Sequence, residues 1–278
     1  MKRWLLSLTC LVAICSFSIA AEKDARTFEL RVYTSNKGKQ GDVNALIAKS
    51  GVKYMAKHHI DLVGAWIPTD AADERVITLV AHKDKASGAK NWESFQADEG
   101  WKAELAAASK DGRAVAGVAR FFLSATDYSP AVKPTTVGDR VFELRTYVST
   151  PNNLDNLNAR FRDHTVKLFE KHGMTNIAYF NLIDGEKTTS GELLKACSAM
   201  GKDASDVKPD TEVKPFALVY MISHKSADAA KASFGKFGQD PDWKAAYSES
   251  EKKGGGPLTA KNGVKSLFLK ATDYSPTK

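Results

Sequence analysis

The hexapeptide ATDYSP occupies Ala125–Pro130 and occurs again at Ala271–Pro276. A second pair of segments recurs in the same order: FELRVYTS at Phe28–Ser35 returns as FELRTYVS at Phe142–Ser149, an offset of 114 (142 − 28). Segments that recur in one order along a chain are typical of an internal duplication. The sequence therefore predicts two copies of one unit, and ATDYSP ends each copy.

The offset between the copies changes along the chain. His82-Lys83 returns as His224-Lys225, which lies 142 positions later (224 − 82), so the second copy contains about 28 additional residues (142 − 114). They lie at about 184–215, in a polar segment that is long for a loop and therefore favours a function or mobility. We expect it to cover a pocket as a lid, or to offer a surface to a protein partner. The predicted organisation is a first unit at 26–130, a linker at 131–140 and a second unit at 141–278.

Residues 1–21 have the pattern of a secretory signal peptide. The basic pair Lys2-Arg3 precedes an apolar stretch at 4–15, which is shorter than the about 20 residues that a membrane-spanning helix needs. We expect an exported protein, secreted or periplasmic, without a stable membrane anchor after cleavage. Cys197 is the one cysteine that follows the signal, so no intramolecular disulfide is expected.

Strand and helix patterns alternate within each copy. Phe28, Leu30 and Val32 alternate with more polar residues, which predicts a strand with one apolar face. A helix pattern follows as far as His58, and the later segments complete the order βαββαβ of a ferredoxin-like unit. Both helices of such a unit cover one sheet face, so the other face needs a cover, which the second copy can supply. The predicted fold is α+β: two tandem ferredoxin-like units packed sheet to sheet as an intrachain barrel.

Two segments of the second copy resemble a known family. PNNLDNLNARFRDHTVKLFEKHGM at Pro151–Met174 resembles the signature of the NIPSNAP family, and SFGKFGQDPDWKA at Ser233–Ala245 resembles that family's second helix. The resemblance covers nearly all of the chain after the signal, more strongly in the second copy than in the first. It implies a dimeric α/β barrel, within a superfamily that includes small-molecule monooxygenases, cyclases and haem-binding enzymes. The first copy has Ala48-Lys49-Ser50 where the second has Arg162-Asp163-His164, so a function carried by that motif belongs to the second copy.

His164 is the first candidate for a catalytic residue. It lies on a helical stripe with Leu157, Phe161 and Leu168, and this spacing predicts that its side chain points toward the sheet. A neutral imidazole there could act as an acid or base toward a bound ligand. The alternative is a core histidine that is hydrogen-bonded to a strand side chain.

Further candidates lie on the second copy's first strand and nearby. Arg145 and Tyr147 are candidate catalytic residues, and Glu143, Arg160 and His224 are candidate ligand-binding residues. If the two sheets face each other, the strand residues line the barrel interior. The arginine and glutamate could clamp a ligand carboxylate, or form ion pairs that fix the register of the two halves. The first copy repeats part of this set as Glu29, Arg31, Tyr33 and His82.

Several classes of function are not favoured by the composition. The formal net charge is +7, but the lysines are spread and no basic run alternates with aromatic residues, as a nucleic-acid groove would require. No GxSxG, HExxH, CxxC or phosphate-loop motif occurs, and the sequence predicts no metal and no cofactor. Two classes stay open. One is an exported protein that binds a small organic ligand in a pocket of the second copy, with or without cofactor-independent enzyme activity. The other is a non-catalytic interaction or scaffold protein that uses the insertion and the outer helices.

Overall fold

The computed structural model describes residues 23–183 and 217–278. The predicted signal peptide, the predicted insertion at about 184–215 and Cys197 lie outside these residues. Within the described part, no helix combines the length and apolar character that crossing a membrane requires.

The first half runs strand, helix, strand, strand, helix pair, strand. Its elements are β1 Thr27–Ser35, α1 Gln40–Leu46, a π-turn Ile47–Gly51, α2 Val52–Lys57, β2 Asp61–Pro68, β3 Arg75–His82, α3 Lys85–Ala97, α4 Glu99–Ala108 and β4 Val115–Ala125. Aspartates begin the helix pair: the Asp84 carboxylate accepts the Ser87 N–H, and the Asp98 carboxylate accepts the Gly100 and Trp101 N–H groups. These caps satisfy N–H groups that the first turn leaves without helical partners.

The second half repeats this order. Its elements are β5 Val141–Ser149, α5 Leu154–Arg160, a π-turn Phe161–Thr165, α6 Val166–Lys171, β6 Thr175–Leu182, β7 Ala217–His224, α7 Ala227–Gln239, α8 Pro241–Lys253 and β8 Thr259–Ala271. Both π-turns contain an i to i+5 hydrogen bond, from the Val52 N–H to the Ile47 carbonyl and from the Val166 N–H to the Phe161 carbonyl. Each turn therefore holds one residue more than a regular α-helix would.

The strands of the described residues form one closed barrel. The order is β1-β3-β2-β8-β5-β7-β6-β4, and β4 pairs back onto β1. The halves meet edge to edge, because β2 pairs with β8 and β4 pairs with β6, both antiparallel. The fold is a mixed α/β barrel with eight antiparallel strands, so the two sheets join at their edges into one closed layer.

An apolar core that both halves share fills the barrel. Phe28 lies against Phe180 with ring centres 5.1 Å apart, and Trp66 lies against Phe142 at 5.9 Å. Each of these pairs joins one half to the other. The interior of the barrel is therefore a packed core that stabilises the contact between the halves.

The polar residues of the first strands lie on the outer face of the barrel, under the helices. On β1, Phe28 and Leu30 belong to the interior core, whereas Arg31 lies among helix residues. The prediction that Glu143, Arg145 and Tyr147 line the barrel interior was wrong. Alternation along a strand separates two faces but does not show which face the helices cover. The more apolar face lies in the closed interior of the barrel, because the interior excludes water on all sides.

The ATDYSP segments bind each half to the other. The Tyr128 hydroxyl donates to Asn158 Oδ1 at 2.8 Å, and the Tyr274 hydroxyl donates to Asn44 Oδ1 at 2.9 Å. Backbone hydrogen bonds accompany them, from the Thr126 N–H to the Tyr179 carbonyl (2.9 Å) and from the Thr272 N–H to the Ala65 carbonyl (3.0 Å). Each half therefore ends by crossing to a helix and a strand of the other.

Candidate functional site

Four of the predicted site residues form a buried cluster in the second half. Glu143 accepts hydrogen bonds from Arg145 Nη1 and from His224 Nε2, the latter at 2.8 Å. Arg145 Nε donates to the Tyr220 hydroxyl at 2.9 Å, and Arg145 Nη2 donates to the Tyr147 hydroxyl at 3.0 Å. Each of the three guanidinium nitrogens is therefore bound by the protein itself.

The cluster holds Glu143 as a carboxylate. Burial alone would raise the pKa of Glu143, but the hydrogen bond from His224 and the charge of Arg145 outweigh it and hold the pKa below the ordinary value. A carboxylate only accepts hydrogen bonds, so His224 must carry its proton on Nε2. His224, a candidate ligand-binding residue in the sequence, is 1% exposed, and this burial favours a structural role.

The ion pair lies within one half. Glu143 and Arg145 are both on β5, so the expectation that arginine and glutamate fix the register between the halves was wrong. Two residues that are two positions apart on one strand point to the same face, and this favours a local pair.

His164 is exposed and does not point toward the sheet. The buried stripe of Leu157 and Phe161 continues with Thr165, which is 1% exposed. The extra residue of the π-turn moves the inward position by one, because the turn closes at i+5. Thr165 Oγ1 donates to the Arg160 carbonyl at 3.1 Å within this turn. The predicted inward orientation of His164 was therefore wrong.

His164 and Arg160 lie together in a small surface cavity of about 110 Å³ between α5 and α8. The Arg160 guanidinium carbon lies 5.0 Å from the ring centre of Tyr247, and Nη1 lies 3.9 Å from Glu251 Oε1. This volume is below the range of about 300–1,000 Å³ that is typical of organic ligand sites. Glu143, Arg145 and His224 are not among the residues that line this cavity.

A cavity of about 600 Å³ lies in the first half, between the sheet and the helices α1 to α4. Most of its wall is apolar, with Val43, Ile47, Met55, Phe95 and Leu105 among the lining residues. The volume is typical of organic ligand sites. The sequence predicted a pocket in the second half, whereas the structure has a cavity of this size in the first half.

At several matching positions the second half has the larger side chain. With offsets of 114 and 142, the paired residues are Ile47 and Phe161, Gly51 and Thr165, Met55 and Phe169, Thr78 and Tyr220, and Leu105 and Tyr247. The rings of Phe161 and Tyr220 lie 5.2 Å apart, and the residue that matches Phe161 is Ile47, which lines the cavity of the first half. The sequence patterns did not predict this cavity, although the differences between the two halves, compared position by position, contain the signal for it.

Arg31 lies at the inner wall of the cavity and is 6% exposed. Its Nε donates to Glu29 Oε1 at 2.8 Å, and its guanidinium carbon lies 3.4 Å from the ring centre of Trp92. Glu29 also accepts a hydrogen bond from Trp92 Nε1 at 2.7 Å and contacts His82 Nε2 at 3.1 Å. Burial would raise the pKa of Glu29, but the hydrogen bond from His82 and the charge of Arg31 outweigh it and lower the pKa.

Arg31 and its counterpart Arg145 have different residues opposite them on the neighbouring strand. Thr78 lies opposite Arg31, whereas Tyr220 lies opposite Arg145. Within residues 23–183 and 217–278, the terminal nitrogens of Arg31 make no hydrogen bond, and neither nitrogen is fully buried. The first half thus combines an open cavity with an arginine that has free donors.

Comparison with known proteins supports the fold and one domain. An anthrone oxidase-like protein has 12% identity and a TM-score of 0.57, with 94% of this chain and 97% of that chain covered. A monooxygenase-like protein from Lactobacillus acidophilus has 11% identity and a TM-score of 0.50, with 89% and 94% covered. A NIPSNAP family protein from Agrobacterium tumefaciens has 22% identity and a TM-score of 0.34, with 38% and 98% covered. The first two of these structures show a shared fold alone, and no curated protein matches the sequence.

The family model places the match in the first half. It covers residues 28–130 and is described as NIPSNAP, whereas the segments that resembled the family in sequence lie in the second half. The matched range contains β1 to β4, the first ATDYSP segment and the cavity with Arg31. The NIPSNAP match therefore lies over residues 28–130, in the half that contains the open cavity.

Proposed function

We propose that the protein binds a small, largely apolar organic molecule in the cavity of the first half. The observation that carries this proposal is the cavity of about 600 Å³ at positions that the second half fills with larger residues. Protein cores are packed with few voids larger than a water molecule. An opening of ligand size, lined by apolar and aromatic side chains, is therefore more consistent with a binding site than with a core.

The fold comparisons support a small organic molecule as the ligand. The similar structures are named as an anthrone oxidase-like protein and a monooxygenase-like protein, and these names describe those proteins. By analogy, cofactor-independent enzyme activity on the bound molecule is part of the proposal.

The proposal includes the organisation of the chain. Two tandem ferredoxin-like units, at 26–130 and 141–278, arose by duplication, and the first kept an open pocket while the second became a filled, structural half. The repeated element order and the two π-turns, which begin 114 positions apart (161 − 47), support this origin. The protein is exported after removal of residues 1–21.

Fluorescence titration with N-phenyl-1-naphthylamine, a neutral apolar dye, tests the proposal. We expect the wild-type chain to bind the dye, and the double variant I47F/M55F, which copies the residues of the second half, to bind at least about tenfold more weakly because the added rings occupy the cavity. The variant His164→Ala is the matched control and keeps the wild-type affinity. Equal affinity in I47F/M55F would overturn the site, and a wild-type chain that binds no dye would favour the interaction or scaffold protein instead.

A further inference from the structure

We propose that the ligand of the first-half cavity carries a carboxylate, which the two terminal nitrogens of Arg31 bind. The inference rests on the proposed function and gives its ligand a chemical class, an aromatic or aliphatic acid.

The free edge of the guanidinium matches this group. Arg31 uses Nε for Glu29, and its side chain is 7% exposed. Within the described residues its terminal nitrogens have no hydrogen-bond acceptor, although Arg31 lines the cavity. Two parallel N–H groups at the edge of a guanidinium bind the two oxygens of a carboxylate. An acid in the cavity would satisfy donors that the protein leaves open.

In the second half, protein groups accept the hydrogen bonds of the matching arginine, Arg145. Arg145 Nε and Nη2 donate to the hydroxyls of Tyr220 and Tyr147. In the first half Thr78 replaces Tyr220, and its own Oγ1 is buried without a partner among the described residues. The counterpart of Tyr147 is Tyr33, which lines the cavity and offers a further hydroxyl to a bound carboxylate. With threonine in place of the tyrosine, Glu29 accepts from Arg31 Nε, and both terminal nitrogens are left without an acceptor among the described residues.

Trp92, which also lines the cavity, and Glu29 together fix the position of Arg31. Trp92 stacks on the guanidinium with 3.4 Å between the ring centre and the guanidinium carbon, and Trp92 Nε1 donates to Glu29 Oε2. Glu29 binds Nε and is not one of the residues that line the cavity. The arginine is therefore held in one orientation before a ligand arrives, and this lowers the entropic cost of binding.

The charge of the cavity wall also favours an anion. Among the described lining residues the charged side chains are Arg31 at the inner wall and Arg113, which is exposed. The lining contains no aspartate or glutamate in the described part of the chain. A carboxylate thus meets positive charge at both positions, and Arg113 attracts it from solvent in a salt-dependent way.

A competition experiment with a matched pair of probes tests the inference. 2-Naphthoate and the neutral 2-naphthamide have the same ring system, and each is titrated against bound N-phenyl-1-naphthylamine. We expect the acid to displace the dye at least about tenfold more effectively than the amide, because hydrogen bonds to a charged group are the stronger class. Arg31→Gln abolishes this preference, so that acid and amide displace the dye equally well. Arg145→Gln, the matched variant of the second half, keeps the preference.

Two further variants apply if Arg31→Gln does not fold. Thr78→Tyr gives Arg31 the partner that Arg145 has, and Arg31→Lys keeps the charge but removes the planar pair of donors. Both lower the ratio of acid to amide affinity in folded protein. Equal displacement by acid and amide in the wild-type chain, or an unchanged ratio in these variants, overturns the inference. Dye binding without acid preference refutes the carboxylate alone, whereas absence of dye binding refutes the proposed function.

Discussion

Gly64 packs against the ring of Trp66 on the same strand. A Cβ atom at position 64 would lie 2.1 Å from Trp66 Cη2, and Trp66 is 1% exposed in the barrel core. We expect Gly64→Ala to lower the free energy of unfolding by about 1–3 kcal/mol, as overpacked cores do. Urea denaturation measures this change. Gly41→Ala is the control because no atom lies within 4 Å of its added Cβ; a similar loss in both variants would contradict the account.

Asp98 makes stability depend on pH. Its carboxylate accepts hydrogen bonds from Lys57 Nζ at 2.6 Å and from His58 Nε2 at 2.8 Å. These hydrogen bonds hold the pKa of Asp98 well below its ordinary value of 3.8. A group with a lowered folded pKa stabilises the fold above its unfolded pKa, and that contribution is lost as the pH falls toward the folded pKa.

The contribution of Asp98 to stability should be lost at acid pH. We expect the free energy of unfolding to fall as the pH drops below about 4, and to fall less steeply in Asp98→Asn, because asparagine still caps a helix but does not titrate. Denaturant unfolding at a series of pH values measures both slopes. Parallel slopes for wild type and variant would show that Asp98 does not contribute in this way.

At the scale of the element, the second π-turn decides which side chain faces inward. His164 is exposed, so we expect His164→Ala to change the free energy of unfolding by no more than about 0.5 kcal/mol. Thr165→Val removes the hydrogen bond to the Arg160 carbonyl and should cost about 1 kcal/mol. Thermal or urea unfolding of the two variants measures the difference. A larger loss of unfolding free energy in His164→Ala than in Thr165→Val would mean that the helix is a regular α-helix here and that His164 faces inward.

The same element shows why part of the site could not be predicted from sequence. A period of 3.6 residues predicts the inward face as far as Phe161, and the i+5 hydrogen bond then displaces it by one residue. No residue type marks this change. On β5, alternation correctly separates Glu143, Arg145 and Tyr147 from the apolar residues, but it cannot assign the faces to barrel and helices. The cavity is a different case, since exchanges such as Thr78 for Tyr220 can be read directly from the repeat.

At the scale of the whole molecule, the repeat predicts the order of the elements, and long-range pairing adds the closed barrel. The halves share one core and pair through β2 with β8 and β4 with β6. We therefore expect both halves to unfold in one cooperative transition. Far-UV circular dichroism and tryptophan fluorescence should give coincident urea curves. Two separate transitions would show that the halves are independent domains.

The ATDYSP contacts belong to the same cooperative unit. Tyr128→Phe and Tyr274→Phe each remove one hydrogen bond between the halves, and each should lower the free energy of unfolding by about 1 kcal/mol. Because all strands unfold together, both variants should shift the whole curve. A shift confined to one spectroscopic probe would argue against reciprocal contacts.

The central claim is that the first half contains a pocket for an organic acid at Arg31. A crystal structure of the chain soaked with 2-naphthoate tests it most directly. We expect density for the ring system between the sheet and helices α1 to α4, with the carboxylate within hydrogen-bond distance of both terminal nitrogens of Arg31. An empty first-half cavity, or a ligand bound at His164 and Arg160 in the second half, would contradict it.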